Sequence, residues 1–251
     1  MKNATTFAAQ LRYLKLAYTS RHHAELTADA AQQRLSHAQF LERIVEAEAH
    51  DRQQHALVRR IKAARFPVKK SVDQFEWDWP TEINEAQVRH LFELRFVEER
   101  TNAIFCGGVG LGKSHLATAL GYAACQAGHA VLFTTAVDAI NTLAAAHAAH
   151  RLDAELKKYL NPAVLVLDEV GYLPLDKTGA DLFFQIISQR YERGSLVVTT
   201  NKAYKYWSGI FNNDAGITSA ILDRLLHRAN TVVIKGKSYR TRERMAEENA
   251  T

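Results

Sequence analysis

The sequence predicts an α/β protein, a three-layer domain on a mostly parallel five-stranded sheet, preceded by a small all-helical domain. Three observations carry this. From residue 100 onward short apolar runs alternate with helical segments, as in a parallel sheet with crossover helices. The first third shows helical spacing only. Between the first apolar run and the next helix lies a glycine-rich stretch of the phosphate-loop type.

In order along the chain, Leu11, Leu14 and Tyr18 fall at helical spacing, with Arg12 and Lys15 between them. Ser36 and Gln39 fit a capping box for a long helix that ends in ALVRRIKAARF and stops at Phe66-Pro67. Along it Phe40, Leu41, Ile44 and Val45, then Ala49, Ala56, Leu57 and Ile61, form one apolar stripe, with Glu42, Arg43 and Glu46 on the other face. Residues 1–67 thus form the helical domain. Residues 68–84 have no steady period and read as a linker that packs its aromatics, Trp77 and Trp79 among them. A second domain covers 85–251 and opens, after the start signal Asn84 and Gln87, with a helix over about 85–98. Strands follow at NAIFC (102–106), AVLFT (130–134), AVLVLD (163–168), SLVVTT (195–200) and TVVIK (231–235). Helices are expected at 113–126, 137–148, 152–160, 178–193 and 217–229.

Charge is distributed unevenly. The 251 residues hold 32 Lys and Arg against 27 Asp and Glu, a net +5. Residues 1–70 carry +7, residues 71–100 carry −5, residues 101–200 carry −1 and the remainder +4. The surplus at the two ends, outside a near-neutral middle, points to a polyanionic partner held there. Two cysteines, Cys106 and Cys125, are too few for a disulfide scaffold or thiolate metal cluster, and both read as buried small hydrophobes in a reducing compartment. No apolar run approaches the ~20 residues of a bilayer span, and Arg12 and Lys15 interrupt any signal-peptide core. The expected location is cytoplasmic. His22, His23, His37, His50 and His55 do not form a metal set by their spacing.

Gly107-x-x-x-x-Gly112-Lys113-Ser114 matches the phosphate loop in full, immediately after a strand and opening a helix. Gly107, Gly108, Val109, Gly110, Leu111, Gly112, Lys113, Ser114 and His115 are the candidate nucleotide contacts. Backbone N–H groups and the positive helix end face phosphate, Lys113 reaches the β and γ phosphates, and Ser114 offers a hydroxyl to Mg2+. The strand AVLVLD delivers Asp168 beside that metal, and Glu169 is the candidate base for the attacking water, which favours a nucleotide hydrolase over a mere binder. Thr200 and Asn201 end a strand that could neighbour the first; they either hold the lytic water or γ-phosphate, or simply form a cap or turn. Arg224, Arg228 and Arg240 are open candidates for an arginine supplied to a neighbouring subunit's site. Arg12, Lys15, Arg21, Arg59, Arg60, Lys62, Arg65, Lys69 and Lys70 could contact DNA phosphates.

These residues, with IKAARFPVKKSVDQFEW, GKSHLATALG, VLVLDEVGYLPLD, TTNKAYKYWSGIF and AILDRLLHRANTVVIKGKSYR, make a chain that resembles, over nearly its whole length, the IstB family. These are helper ATPases of bacterial insertion sequences, close to the DnaC helicase loaders within the AAA+ group. The resemblance implies a AAA+ P-loop NTPase sheet with the P-loop strand central, ATP and Mg2+ as cofactors, and an N-terminal domain that engages DNA or the partner. It implies duplex DNA bound with little sequence preference, a cognate transposase assisted in target capture, and ATP-dependent self-association into a ring or spiral. By position Lys113 and Ser114 become Walker A, Asp168 and Glu169 Walker B, Asn201 sensor 1, Arg224 the arginine finger and Arg240 a candidate sensor 2. The family's loop usually has proline after the first glycine; Gly108 stands there, which should leave the N–H array intact. The second reading is a DnaC-like ATPase that loads a helicase, and a third a nucleotide-gated oligomer without DNA contact.

Overall fold

Contacts along the chain part at Arg59/Arg60, giving two units, Met1–Arg59 and Arg60–Thr251. The structure is a computed structural model that describes residues 6–239 and 241. Among the described residues no helix is long and apolar enough to cross a membrane.

The first unit contains α1 (Phe7–Tyr13), α2 (Ala17–Gln32) and the greater part of α3 (His37–Ala64). The expected run Leu11–Leu14–Tyr18 is broken: Lys15 takes a left-handed φ of 58° and Leu14 is 61% exposed. The cause lies far away in sequence. α2 has Leu16 as its N-cap, which offers no capping side chain, and amides of its first turn are taken by Glu48 of α3. Ala17 N donates to Glu48 Oε1 at 3.0 Å, and Thr19 donates to Oε2 through N at 3.0 Å and Oγ1 at 3.2 Å. A carboxylate at a helix N-terminus satisfies orphan donors and meets the positive dipole end. The apolar stripe read along α3 is corrected accordingly, since Glu48 is buried there while Leu41 and Val45 are exposed. The capping box that starts α3 is present, Ser36 N to Gln39 Oε1 at 2.9 Å and Gln39 N to Ser36 Oγ at 3.3 Å.

Burial raises the Glu48 carboxyl, but the Thr19 bonds, Arg52 and the Ala17 amide outweigh it and hold the group below its ordinary value. A lowered folded pKa gives stability that is present above the unfolded value and lost as pH falls through the folded one. Glu48→Gln should therefore cost about 1–2 kcal/mol at neutral pH. The gap from wild type should close below about pH 4, as read by thermal melts of the helical signal. A gap that persists in acid would assign the loss to shape and not charge.

In the second unit, Ser71 and Gln74 cap a 3₁₀ turn over Val72–Gln74, followed by α4 (Glu85–Leu91) and α5 (Arg95–Glu98). The single helix expected over 85–98 is thus two, broken at Leu94 with φ 61°. A straight helix sets Leu91 and Phe96 about 140° apart, whereas the break lets Val88, Leu91, Phe96 and Val97 all be buried.

The sheet comprises β1 (Asn102–Gly107), β2 (Val131–Thr135), β3 (Val164–Val170), β4 (Ser195–Thr200) and β5 (Ala229–Ile234). All pairs are parallel and the order is β2-β3-β4-β1-β5. The P-loop strand β1 is interior but not central, because β4 takes the middle place. α6 (Lys113–Gln126) packs on one face, with Gly121 admitting Val166 of β3. α7 (Ala136–Ala148), α8 (Leu152–Leu160), α9 (Lys177–Arg190) and α10 (Ala215–Leu226) gather with Leu165, Leu167, Leu196 and Val198 in one buried cluster on the other. Strands that alternate two buried faces explain why their sequence runs are continuously apolar. α10 stops three residues short of expectation, as Asn102 Nδ2 takes the Leu225 carbonyl at 2.9 Å and Asn102 N that of Arg228 at 2.8 Å.

One buried cation fastens the amino-terminal edge of the sheet. Arg190 is 1% exposed and donates to the carbonyls of Tyr159, Leu160, Pro162, Ala163 and Ser195, at 2.8–3.2 Å. Burial pushes its pKa down to about 10, so it stays charged near neutrality.

Candidate functional site

The order of strands puts a crevice at the carboxyl ends of β1, β4 and β3. The chain leaves β1 through α6 to the far strand β2, then returns through β3 and β4 to β1's side. Ligands bind at such switch points. The loop 108–112 occupies this crevice. Gly107 must be glycine because a Cβ would lie 2.2 Å from Ile234 O of β5. Gly112 has φ 81° and would press on Phe75 Cε2 at 2.5 Å. Gly108 has neither constraint, its nearest neighbour being Leu111 Cδ1 at 3.5 Å, so a Cβ would also fit there. Lys113 Nζ donates to Gly108 O at 2.5 Å, across the mouth of the loop. Val109 is exposed and Leu111 is buried beneath.

Ser114 and Asp168 meet. Ser114 Oγ donates to Asp168 Oδ1 at 2.9 Å, and Asp168 is 6% exposed. A hydroxyl and a carboxylate oxygen side by side are the hard donors that Mg2+ takes. The same Oδ1 also accepts from Thr199 Oγ1 at 2.5 Å, and Thr199 Oγ1 accepts from Glu169 N at 2.9 Å. Glu169 itself sits at φ 61°, at a register shift between β3 and β4, and is exposed. Thr199 is the residue sequence reasoning passed over in favour of Thr200 and Asn201. Its signal was the alternation along SLVVTT, which turns Thr199 and Thr200 to opposite faces. Thr200 pairs with Cys106 and with Val170, so Asn201 lies at the end of the strand between the P-loop and the acidic pair, exposed. Cys106 is half-buried and not fully so, with its thiol pushed up by burial against the opposing charge of Lys113.

The crevice opens into a cavity of about 430 Å3. One wall is the loop from Gly110 to His115 with Asp168 below it; the other is Val68, Lys70, Phe75, Trp79, Pro80 and Tyr239. The segment read as a linker is therefore a wall of the site. His115 Nε2 bonds Ser71 O at 2.8 Å, and its ring meets Phe75 edge-on at 5.6 Å. Burial first, with Lys70 adding, lowers the His115 pKa against the opposing Ser71 carbonyl, so the ring is neutral at pH 7 and donates through Nε2. The residues after β5 close the wall: Tyr239 N donates to Gly110 O at 2.9 Å, Tyr239 Oη to Glu76 Oε1 at 2.6 Å, and Trp79 Nε1 to Lys237 O at 2.9 Å. Glu82 and Lys235 add an antiparallel bridge and an ion pair of 2.6 Å.

Arg224 is elsewhere. Its Nη1 donates to Ala220 O at 2.9 Å, and its guanidinium lies 5.2 Å over the Phe184 ring. It shares a small recess with Arg100, Asn102 and Arg228 at the amino-terminal edge of the sheet. The P-loop is at the other end of β1, about 17 Å away at the usual rise per residue. Arg240 lies outside the described residues.

The basic candidates have mixed settings. In the first unit Arg12 Nε donates to Ala8 O at 3.2 Å, Arg21 pairs with Asp51 at 3.3 Å, and Lys15 is exposed. Arg59, Lys62 and Arg65 are exposed. Arg60 Nε bonds Cys125 O at 3.0 Å and Lys69 lies 5.2 Å over Tyr122, so both hold structure. Lys70 faces the cavity. Among the described residues no group of three or more His, Cys, Asp or Glu could hold a metal ion.

A family model described as IstB-like ATP binding protein matches residues 9–247. A Bacillus thuringiensis subsp. berliner protein of insertion sequence IS232, named for ATP binding, is 37% identical over 99% of this chain and 100% of its own length. A Pseudomonas aeruginosa counterpart from insertion sequence IS21 is 41% identical over 93% of this chain and 88% of its own. Among solved structures, a DnaC helicase loader aligns at 27% identity and TM-score 0.52, covering 66% of this chain and 96% of that one. The replication initiator DnaA, bound to AMPPCP and single-stranded DNA, shares the fold at 21% identity and TM-score 0.56, over 73% of this chain and 56% of its own.

Proposed function

The chain belongs to the IstB-like ATP-binding protein family, and on that premise we propose that it is a cytoplasmic, Mg2+-dependent ATPase that helps DNA transposition. It assembles as a ring or spiral on duplex DNA with little sequence preference and supports its cognate transposase in target capture. The observation that carries the ATPase reading is the 2.9 Å contact of Ser114 with Asp168 directly below the P-loop. A turn that merely contained glycines would have no reason to bury a carboxylate against the hydroxyl that follows its lysine.

The loop N–H groups and the α6 N-terminus hold the β and γ phosphates, and Lys113 moves from Gly108 O onto them. Ser114 and Asp168 hold Mg2+, which when bound supplies positive charge to the phosphate oxygens. The apolar wall of Val68, Phe75, Trp79 and Pro80 receives the adenine. Glu169 draws the proton from the attacking water, with its backbone set by Thr199; Asn201 positions that water or the γ-phosphate. Arg224 answers to a nucleotide site outside its own recess, and Arg240 is the candidate for the second sensor place. The exposed cations Arg12, Lys15, Arg59, Lys62 and Arg65 contribute phosphate contacts to DNA.

Retention of the chain on random duplex DNA with ATP, read against salt, tests this function. Binding should need nucleotide, fall steeply as salt rises, and vanish in Lys113→Ala along with ATP binding. Unchanged ATP affinity in Lys113→Ala refutes the site. The likeness to the DnaC loader over 96% of that chain supports the second reading, in which a hexameric helicase co-purifies and duplex retention is absent.

A further inference from the structure

Two loops leave the nucleotide crevice and pack on each other. Residues 171–176 follow β3, and residues 202–211 follow β4. Gly171, at φ 88°, lies so close to Ile210 Cδ1 and Lys202 Cδ that a Cβ would meet them at 2.5 and 3.4 Å. Leu175 N donates to Ile210 O at 2.7 Å, and Leu175 bridges Phe211. Beneath, the fully buried Trp207 donates Nε1 to Lys202 O at 3.1 Å and packs on Phe211. The loops are thus one seated surface.

What they expose is unusual in composition. Tyr172, Leu173 and Tyr206 are 60%, 52% and 58% exposed. Lys177 and Lys205 are exposed and Lys202 half-exposed among them, with Lys205 Nζ 4.9 Å over the Tyr206 ring. The neighbouring acids are already engaged: Asp176 caps α9 through Gly179 N at 2.7 Å and Asp214 caps α10 through Ile217 N at 2.9 Å. Among the described residues none of the three lysines has an ion pair. Flat rings interleaved with unneutralised cations suit a polyanion that also carries flat faces, which is a nucleic acid. A protein partner would ask for a more continuous apolar core with fewer lysines.

Resting on the DNA-binding reading above, we propose that this loop pair is the DNA contact of the ATPase unit. Lys177, Lys202 and Lys205 meet phosphates, while Tyr172 and Tyr206 stack on bases where a duplex is kinked or opened. The loops also tie that contact to hydrolysis. Tyr172 N donates to Glu169 O at 3.2 Å, so the exposed tyrosine closes a turn on the candidate base, and Lys202 follows Asn201 directly. DNA seated on the loops therefore bears on the backbone that presents Glu169, and changes the rate of ATP hydrolysis.

The test uses the full-length chain with ATP, a fluorescent duplex, and the same duplex with a central unpaired bubble. The variants are Tyr172→Ala, Lys205→Ala and Tyr206→Ala. Lys205→Ala should lower the slope of log affinity against log salt by about 0.9 on the duplex. Each tyrosine variant should lose about fivefold or more on the bubbled DNA, with a smaller loss on the intact duplex. All three should keep DNA-free ATP binding and hydrolysis and lose part of the change in ATPase rate that DNA causes. Wild-type binding with unchanged affinity, slope and rate response in the variants overturns the inference. So does a change in particle size at unchanged DNA affinity, which assigns the surface to subunit contact. A wild-type chain that binds no DNA at all removes the functional reading itself, before any variant is compared.

Discussion

Glu169→Gln binds ATP as the wild type does and hydrolyses it about 10²–10⁴-fold more slowly. The separation of binding from turnover follows from what Glu169 shares with its neighbours. Its backbone N–H holds Thr199 Oγ1, which in turn holds Asp168 Oδ1 beside Ser114. Glutamine keeps that N–H, so the oxygens expected to hold Mg2+ keep their arrangement. Only the carboxylate is lost, and an amide cannot accept the proton of the attacking water. Single-turnover hydrolysis beside equilibrium nucleotide binding reads both quantities. Trapped on ATP, the variant should also remain assembled on DNA. Turnover at the wild-type rate would move the base to another residue.

The arginine prediction has the largest expected effect, since an arginine supplied to transferring phosphate is worth about 10³–10⁵ in rate. Arg224→Ala alone should be nearly inactive. So should Lys113→Ala alone. Mixed, the two should recover part of the activity, because a site that pairs the intact P-loop of one subunit with the intact Arg224 of another is whole. The geometry makes this a sharp test. Arg224 stands in the recess with Asn102 and Arg228, at the end of β1 opposite its own loop. A side chain cannot cross that length, so Arg224 does not reach its own subunit's loop and any help it gives must be in trans. Absence of recovery, with both variants folded by their melts, would return Arg224 to its contacts with Phe184 and Ala220 as a purely structural residue.

The parts legible in the sequence are those whose cause is local. The P-loop, the apolar strand that carries Asp168 and the Ser36–Gln39 cap are each written within a few residues and the structure shows all three, although β3 runs on past Asp168 to Val170. Alternation of apolar runs with helices is likewise a local pattern, and the parallel sheet follows from it. What was not legible depends on partners distant in sequence. Glu48 reads as one more surface acid of a long helix until Thr19 and Ala17 are seen against it. Leu94 and Lys15 carry no breaker signal; their helices end because burial of Phe96 in one case, and capture of the next helix by Glu48 in the other, outweigh propensity. Thr199 differs from Thr200 only in which face of β4 it takes. The wall of the cavity was hidden for the same reason, as an aperiodic aromatic stretch gives no sign of what it packs on.

That wall has a consequence for how the molecule is divided. A fragment starting at residue 85 would keep every strand and every motif, yet lack Phe75, Trp79 and Pro80; one ending after β5 would lack Tyr239 and its bond to Gly110. The sheet and the nucleotide pocket are therefore not coextensive. Half of the pocket lining is contributed by the chain before and after the core, two stretches clasped to one another through Glu76–Tyr239 and Glu82–Lys235. A core swapped between homologues without both flanks would therefore carry the P-loop and the acidic pair but only half of the pocket's lining.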